Sequence, residues 1–375
     1  MLQKIFPTLL LVLALTLLLS CSMHGSPVNP RERLSESSKT IAFFPFTNLS
    51  EERSAGEKIV PLVKKALEEK GFQIIDDSSV EEFLRNRRIR YTDSLTVADA
   101  MDLLENLGAK YIMTGTIFSY SNKAIPRIGL SVRLIDSLSC SVKWCAAFSM
   151  TGEDEPGFLN LSKAKTQDEL VRRAVKDLFS SLTVRKEDHF LIFERRGAGG
   201  RNRILAPNPH FFRKRGSGAR KYNCLAILPF SNLSNERNAA RIVYEYFFVN
   251  LHAYSRVKIV DPAEVRRILI KGKVRNAYQL DRDALDLIRS ELGVQGIIMG
   301  TVYAFEEGIN GSSGSEPEVE LSARLIDAVT GEVIWTARHR REGSDSISAY
   351  EMGRVRDIGT LTSDTVTSMI LTLIK

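Results

Sequence analysis

The 375-residue chain has few of the residues that build metal and catalytic sites. It contains four cysteines and five histidines, and no Cys-x-x-Cys pair gives them metal-ligand spacing. Neither a Gly-x-Ser-x-Gly elbow nor a glycine-rich loop of the kind that cradles a nucleotide phosphate occurs. These absences exclude the commonest zinc, hydrolase and nucleotide-binding signatures. We therefore expect a protein that is not an enzyme and that has no metal or other cofactor.

The chain also lacks an apolar run long enough for a transmembrane helix. A shorter run, Leu9 to Leu19, follows Lys4 and ends in Leu-Leu-Ser-Cys, which is typical of a signal peptide. This ending resembles the lipobox of bacterial lipoproteins, which implies that Cys21 is acylated; the alternative is an ordinary cysteine after a conventional cleavage site. We expect a signal peptide over 1–20 and a flexible, polar tether over 21–38.

The formal net charge of +7 and the pI of about 9.2 favour anionic partners. Ser22 stands where an aspartate would indicate inner-membrane retention, so we expect an outer-membrane anchor with the protein facing the periplasm. That compartment argues against nucleic acid as a partner.

An internal repeat organises the rest of the chain. Three long segments recur at offsets of about 184 to 191 residues, which predicts two copies of one domain, called repeat 1 (39–185) and repeat 2 (222–375). The pairs are IAFFPFTNLS with LAILPFSNLS, LGAKYIMTGTIF with LGVQGIIMGTVY, and SVRLIDSLSCSVKW with SARLIDAVTGEVIW.

Each copy predicts the order β-α-β-α-α-β-β-β-α. The first apolar runs, Ile41 to Phe46 and Leu225 to Phe230, carry no charge and indicate strands buried on both faces. Helical crossovers early in each copy and alternating hairpin strands late in each copy predict an α/β (α+β) fold. We expect each repeat to be a mixed β-sheet with helices packed on it.

A basic, Gly- and Pro-rich segment, 186–221, separates the copies and is expected to be a solvated linker. The alternative is an arm that binds anions such as phospholipid headgroups. Its candidate anion-binding residues are Arg195, Arg196, Arg201, Arg203, Arg213, Lys214, Arg215 and Arg220.

Several polar residues could suggest chemistry but are better explained by structure. Asp76, Asp136, Asp261 and Asp327 recur at strand ends, where aspartate more often caps a helix or sets a turn than forms a carboxylate pair. His339 occupies the position of Phe148 and is expected to be a core or sheet-surface residue.

The turn after each first strand, PFTNLSEER or PFSNLSNER, lacks the glycine of a phosphate loop. We expect Asn48 or Ser50, and Asn232 or Ser234, to cap the following helix.

The three cysteines after Cys21 are expected to be thiols rather than a local disulfide. Cys140 and Cys145 are too far apart along an extended strand to form a bridge, and Cys224 is expected to be a small core residue. Because repeat 1 has Cys140 where repeat 2 has Gly331, we expect the two hairpin turns to differ.

The repeated motifs resemble the CsgG-like and TolB N-terminal-like superfamily of bacterial envelope proteins. The resemblance is strongest over Ile41 to Ser50, Leu107 to Thr116 and Arg324 to Trp335, together with the copies of the first two segments in repeat 2. It implies a non-enzymatic module that binds other envelope proteins or assembles into rings.

We therefore expect an adaptor that binds unidentified envelope proteins in envelope assembly, cell-wall synthesis or secretion. The alternative is an oligomeric component of a curli-type secretion channel, and a homo-oligomer is compatible with either function. The interval from Phe118 to Leu130 is too short for a pair of membrane-crossing strands, which disfavours a transmembrane pore.

Overall fold

The structure is a computed structural model that describes most of the chain after the predicted tether. The described residues are 39–89, 95–122, 125–152, 164, 166–180, 182–187, 190–195, 206–216, 221–274, 280–308, 316–347 and 353–374. They form two mixed sheets with helices packed on them, which confirms the expected α/β (α+β) class. None of the helices in these ranges has the length and apolar character needed to cross a membrane.

Repeat 1 follows the predicted order with one additional short strand. Its elements are β1 (Thr40–Phe43), β2 (Thr47–Asn48), α1 (Ala55–Glu68), β3 (Gln73–Ile74), α2 (Asp77–Asn86), α3 (Val97–Leu107), β4 (Tyr111–Ser121), β5 (Arg127–Asp136), β6 (Val142–Thr151) and α4 (Gln167–Ser180). The sheet order is β3-β1-β4-β5-β6, with β2 beside β4. β1 runs parallel to β3 and β4, whereas β4, β5 and β6 are antiparallel.

Two further strands, β7 (Leu182–Glu187) and β8 (Phe190–Arg195), form an antiparallel pair after α4. A third, β9 (His210–Arg213), pairs with the last strand of repeat 2. The segment expected to be a linker therefore contributes an edge strand to the second sheet. This pairing was not predicted, because it depends on the segment His210–Arg213 lying beside β15, which is more than 100 residues later in the chain.

Repeat 2 repeats the same architecture. Its elements are β10 (Cys224–Ile227), β11 (Ser231–Asn232), α5 (Ala239–Tyr254), β12 (Lys258–Ile259), α6 (Pro262–Lys271), α7 (Arg282–Leu292), β13 (Gly296–Glu306), β14 (Glu318–Asp327), β15 (Val333–Glu342) and α8 (Ile358–Ile374). The sheet order is β12-β10-β13-β14-β15-β9, with β11 beside β13.

The phenylalanine of the Pro-Phe pair that follows each first strand packs onto a glycine of the central strand. A Cβ atom at Gly115 would lie 2.8 Å from the Phe46 ring, and one at Gly300 would lie 2.3 Å from the Phe230 ring. Any larger side chain would displace the aromatic ring. This contact explains why the Pro-Phe and Thr-Gly or Met-Gly segments recur together.

The asparagine in each copy of the opening turn stabilises the turn itself and does not cap the helix. Asn48 Oδ1 accepts hydrogen bonds from Ser50 N (2.9 Å) and Ser50 Oγ (2.6 Å), and Asn48 Nδ2 donates to Glu52 O (2.7 Å). The expectation of a cap at Asn48 or Ser50 is wrong, because α1 begins later, after Ser54. Repeat 2 has the same arrangement at Asn232 and Ser234, with α5 beginning after Asn238.

The hairpin turns of the two repeats are alike, which corrects the expectation that they differ. Gly331 has φ +75°, and Cys140, at the equivalent position, also has a positive φ, 49°. A cysteine in this left-handed region is strained, whereas glycine is not. Cys140, Cys145 and Cys224 are all free thiols, as expected.

The four recurring aspartates have the structural roles predicted for them. Asp76 caps α2 by accepting from Ser79 N (3.3 Å), and Asp261 caps α6 by accepting from Ala263 N (2.8 Å). The other two stabilise hairpin turns: Asp136 accepts from Ser139 N, and Asp327 accepts from Val329 N and Thr330 N.

His339 was expected in the core or on the sheet surface, and it lies in the core. Burial, together with the positive charge of Arg341, lowers the pKa of His339 to about 4, so the imidazole is neutral at pH 7.

Candidate functional site

The helices of the two repeats have different surroundings. In repeat 1, α1 and α4 cover one face of their sheet and expose charged residues such as Glu57, Lys58 and Lys65 to solvent. In repeat 2, α5 and α8 lie in one hydrophobic cluster with their own sheet and with Phe118 and Cys145 of repeat 1. These two helices are therefore buried between two sheets.

The sequence of α5 contains a signal for this burial. Its segment Tyr244–Leu251, YEYFFVNL, is buried on every side, whereas a surface helix keeps its polar residues on one face. The only charged residue of that segment is Glu245, which is buried. The repeat aligns α5 with α1, which is amphipathic. The alignment alone therefore suggests that α5 is also a surface helix.

Polar contacts join the repeats along the length of β6. The Ser149 hydroxyl donates to Asp357 Oδ1 (2.9 Å), and the Thr360 hydroxyl donates to Ser149 O (3.3 Å). At the other end of β6, a ring nitrogen of His252 lies 3.2 Å from Val142 O. The interface is therefore specified by hydrogen bonds as well as by apolar packing.

A buried ion pair lies at the centre of this interface. Arg133 of β5 and Glu245 of α5 are 5% and 4% exposed, and Arg133 Nη2 lies 3.4 Å from Glu245 Oε1. The Ser131 hydroxyl donates to Glu245 Oε2 (3.0 Å), and the Arg133 guanidinium lies over the Phe248 ring at 5.5 Å. Removing either side chain would leave the other buried without its main partner of opposite charge.

A second carboxylate of repeat 2 acts on the same arginine. Burial alone would lower the pKa of Arg133, but the charges of Glu245 and Asp261 outweigh burial and raise it. Burial raises the pKa of the Asp261 carboxyl, and the positive charge of Arg133 partly offsets this increase. Burial also raises the pKa of the nearby Cys140 thiol to about 12, so this thiol is protonated and unreactive at pH 7.

A cleft opens beside the ion pair, with a cavity of about 440 Å³. Arg133, Glu245, Arg237, Arg241 and Arg266 contribute charged groups to its wall. Repeat 1 also contacts the rim, because Arg241 Nη2 donates to Thr47 Oγ1 (3.4 Å) and Asn238 Nδ2 donates to Leu49 O (3.2 Å).

The face of repeat 2 that corresponds to the covered face of repeat 1 lies at the surface. Thr116, Phe118, Ser131, Arg133, Cys145, Ala147 and Ser149 of repeat 1 correspond to Thr301, Tyr303, Ser322, Arg324, Thr336, Arg338 and Arg340. We call the half-buried or exposed residues of this surface the outward sheet face: Tyr303, Glu318, Glu320, Ser322, Arg324, Thr336, Arg338 and Arg340.

Most of the predicted site residues lie outside the part of the chain that the structure describes. Cys21, Arg196, Arg201, Arg203 and Arg220 lie outside the described residues, as does the side chain of Arg195.

The other three basic linker residues are described. Arg213 Nη1 donates to Thr372 O (3.1 Å), Lys214 pairs with Glu332 (2.6 Å), and Arg215 is exposed. Within the described ranges, no group of three or more His, Cys, Asp or Glu residues could hold a metal ion.

Several solved bacterial proteins are similar to part of this chain. The PelC dodecamer from Paraburkholderia phytofirmans has 15% identity and a TM-score of 0.30, with 44% of this chain and 98% of that chain covered. Lipoprotein GNA1162 from Neisseria meningitidis has 18% identity and a TM-score of 0.28, with 38% and 99% covered. The LpoB C-terminal domain from Escherichia coli has 16% identity and a TM-score of 0.25, with 30% and 82% covered.

No protein-family model and no curated protein matches the chain. The CsgG-like and TolB-like resemblance therefore stays a prediction.

Two glycines at the second position of a helix test the closeness of the interface. A Cβ atom at Gly359 of α8 would lie 2.5 Å from Ser149 Cβ across the interface, whereas one at Gly56 of α1 meets no atom within 4 Å. We expect Gly359→Ala to lower the free energy of unfolding by about 1 to 3 kcal/mol through overpacking. The matched control Gly56→Ala should raise it by about 0.5 to 1 kcal/mol.

Urea unfolding of the full chain measures both values. Equal effects of the two substitutions would contradict the close contact between α8 and β6.

Proposed function

We propose that the protein is a lipid-anchored adaptor of the bacterial envelope that binds other proteins through the outward sheet face of repeat 2. The observation that carries the proposal is the interface between the repeats. At that interface, one face of the repeat 1 sheet binds the helices α5 and α8. The equivalent face of the repeat 2 sheet is exposed to solvent.

The interface supplies the chemistry expected of a partner. In repeat 1, Arg133 meets a carboxylate on the helix that packs against it. Arg324 occupies the equivalent position in repeat 2. A partner that docks in the same way would present a helix with a carboxylate facing Arg324.

The outward sheet face differs from its counterpart in being strongly polar. Where repeat 1 has Ala147 and Ser149, repeat 2 has Arg338 and Arg340, which pair with Glu320 (2.6 Å) and Glu318 (2.8 Å) on the neighbouring strand. The Arg338 guanidinium also lies over the Tyr303 ring at 4.7 Å. Such a face stays soluble when unoccupied and favours a reversible, polar contact over a permanent one.

The anchor and the compartment form the second part of the proposal. Acylation of Cys21 would hold the chain at the outer membrane, and the segment 21–38 would let both repeats reach periplasmic partners. The lipobox-like ending Leu-Leu-Ser-Cys supports this part.

A photoreactive amino acid in place of Arg338 tests the docking face in cells of the bacterium that makes the protein. We expect an adduct with a different protein, because Arg338 is exposed at the centre of the outward sheet face. The additional substitution Arg324→Glu should reduce the adduct about tenfold or more, because it places like charges opposite each other. Immunoblotting of the full chain measures the adduct.

The matched control carries the photoreactive group in place of Lys65, an exposed cation on α1 of repeat 1. The adaptor proposal predicts no adduct there. Adducts between two copies of this chain at both positions would instead support the oligomeric channel, with α1 of one copy on the outward sheet face of the next. A heterologous adduct at Lys65 and none at Arg338 would contradict the proposed docking face.

The anchor is tested by metabolic labelling with a radioactive fatty acid. The wild-type chain should be labelled, whereas Cys21→Ala should not, since the acyl chains require that thiol. Cys224→Ala is the matched control, because it removes a cysteine of the folded repeat and should leave labelling intact. Equal labelling of wild type and Cys21→Ala would exclude the proposed anchor.

A further inference from the structure

The cleft between the repeats lies where several structural elements meet. Pro229 and Phe230 follow β10, Pro262 begins α6, and Arg133 reaches in from β5 of the other repeat. Ligand sites in open α/β sheets commonly lie beyond the carboxyl ends of parallel strands, as this cleft does for β10. Its volume of about 440 Å³ is that of a small-molecule site.

Positive charge dominates the wall of the cleft. Arginines 133, 237, 241 and 266 line it, and Glu245 is the one acidic residue among its lining residues. Glu245 is already engaged by Arg133 and Ser131. Arg133 is 5% exposed and adds its charge to the wall from the side of repeat 1.

The start of α5 adds to this positive character. Its cap residue, Asn238, makes no side-chain capping hydrogen bond, and the first turn contains no acidic residue. In repeat 1 the equivalent helix carries Glu57 at the position of Arg241. The positive end of the α5 dipole therefore adds to the charge of the arginines, and the Glu236 carboxylate just before the helix accepts from Asn238 N (3.2 Å).

The remaining wall is apolar and aromatic. Phe230 and Tyr244 pack edge to face with ring centroids 6.4 Å apart, beside Val265 and the two prolines. A ligand would therefore meet arginines on one side and ring surfaces on the other.

From this geometry we infer that the cleft binds a small organic anion, a phosphate or carboxylate joined to an apolar body about the size of one aromatic ring. Arg237, Arg241 and Arg266 contact the anionic group, and Phe230 and Tyr244 contact the apolar body. Recognition is by arginine side chains, which form charge-assisted hydrogen bonds, and needs no glycine-rich backbone loop. The inference does not depend on the docking face or on the lipid anchor.

Titration calorimetry of the full chain in detergent tests the inference with phenyl phosphate and benzoate as probes. We expect saturable binding of at least one of them, and their relative affinities distinguish a phosphate site from a carboxylate site. Benzyl alcohol, which has the ring without the charge, should not bind. Inorganic phosphate, which has the charge without the ring, should bind more weakly than phenyl phosphate.

The substitutions Arg237→Gln and Arg241→Gln should each weaken binding by about tenfold, because each removes one charged hydrogen-bond donor. The matched control is Arg256→Gln, an exposed arginine just beyond the opposite end of α5, which should leave the affinity unchanged. Arg237 is exposed, so its substitution leaves the core intact. If Arg241→Gln disturbs the contact between Arg241 and Thr47, the result for Arg237→Gln alone decides the test.

Three results would overturn the inference. These are no saturable binding of either anionic probe, equal binding of benzyl alcohol, or the same affinity in wild type, Arg237→Gln and Arg256→Gln.

Discussion

The buried ion pair between Arg133 and Glu245 is the constraint on which the arrangement of the two repeats depends. A charged group in the interior needs a partner of opposite charge, and here the partners belong to different repeats. The pair fixes β5 against α5, and Ser131 and Phe248 complete its surroundings. The cleft with its arginines and the burial of α5 and α8 on both sides follow from that placement.

The same constraint makes the duplication asymmetric. One sheet face is occupied by helices of the same chain, and its equivalent in repeat 2 lies at the surface with Arg338 and Arg340 where repeat 1 has Ala147 and Ser149. The helices show the converse pattern, since α1 exposes Lys58 and Lys65 where α5 has the buried Ile242 and Val249. Such divergence of the two repeats produces one internal interface and leaves the equivalent face of repeat 2 exposed to solvent.

Much of the fold could be predicted from the sequence because the repeats verify each other: the order of strands and helices along the chain and the turn aspartates recur in both. The packing of one repeat on the other could not, because it depends on which sheet face a distant helix covers. The all-round apolarity of α5 was the available signal. The strain at Cys140 could not be predicted for another reason. A cysteine in place of Gly331 suggested a different turn, whereas the backbone has a positive φ at both positions.

A double-mutant cycle at the ion pair tests most directly whether the two repeats form one interdependent unit. The full chain would be unfolded in urea as wild type, Arg133→Met, Glu245→Leu and the double variant. Each single substitution leaves one buried charge, so we expect a loss of about 3 to 5 kcal/mol for each and a much smaller loss for the double variant than their sum. Losses that add within about 0.5 kcal/mol would show that the two residues are not coupled and would contradict the interface described above.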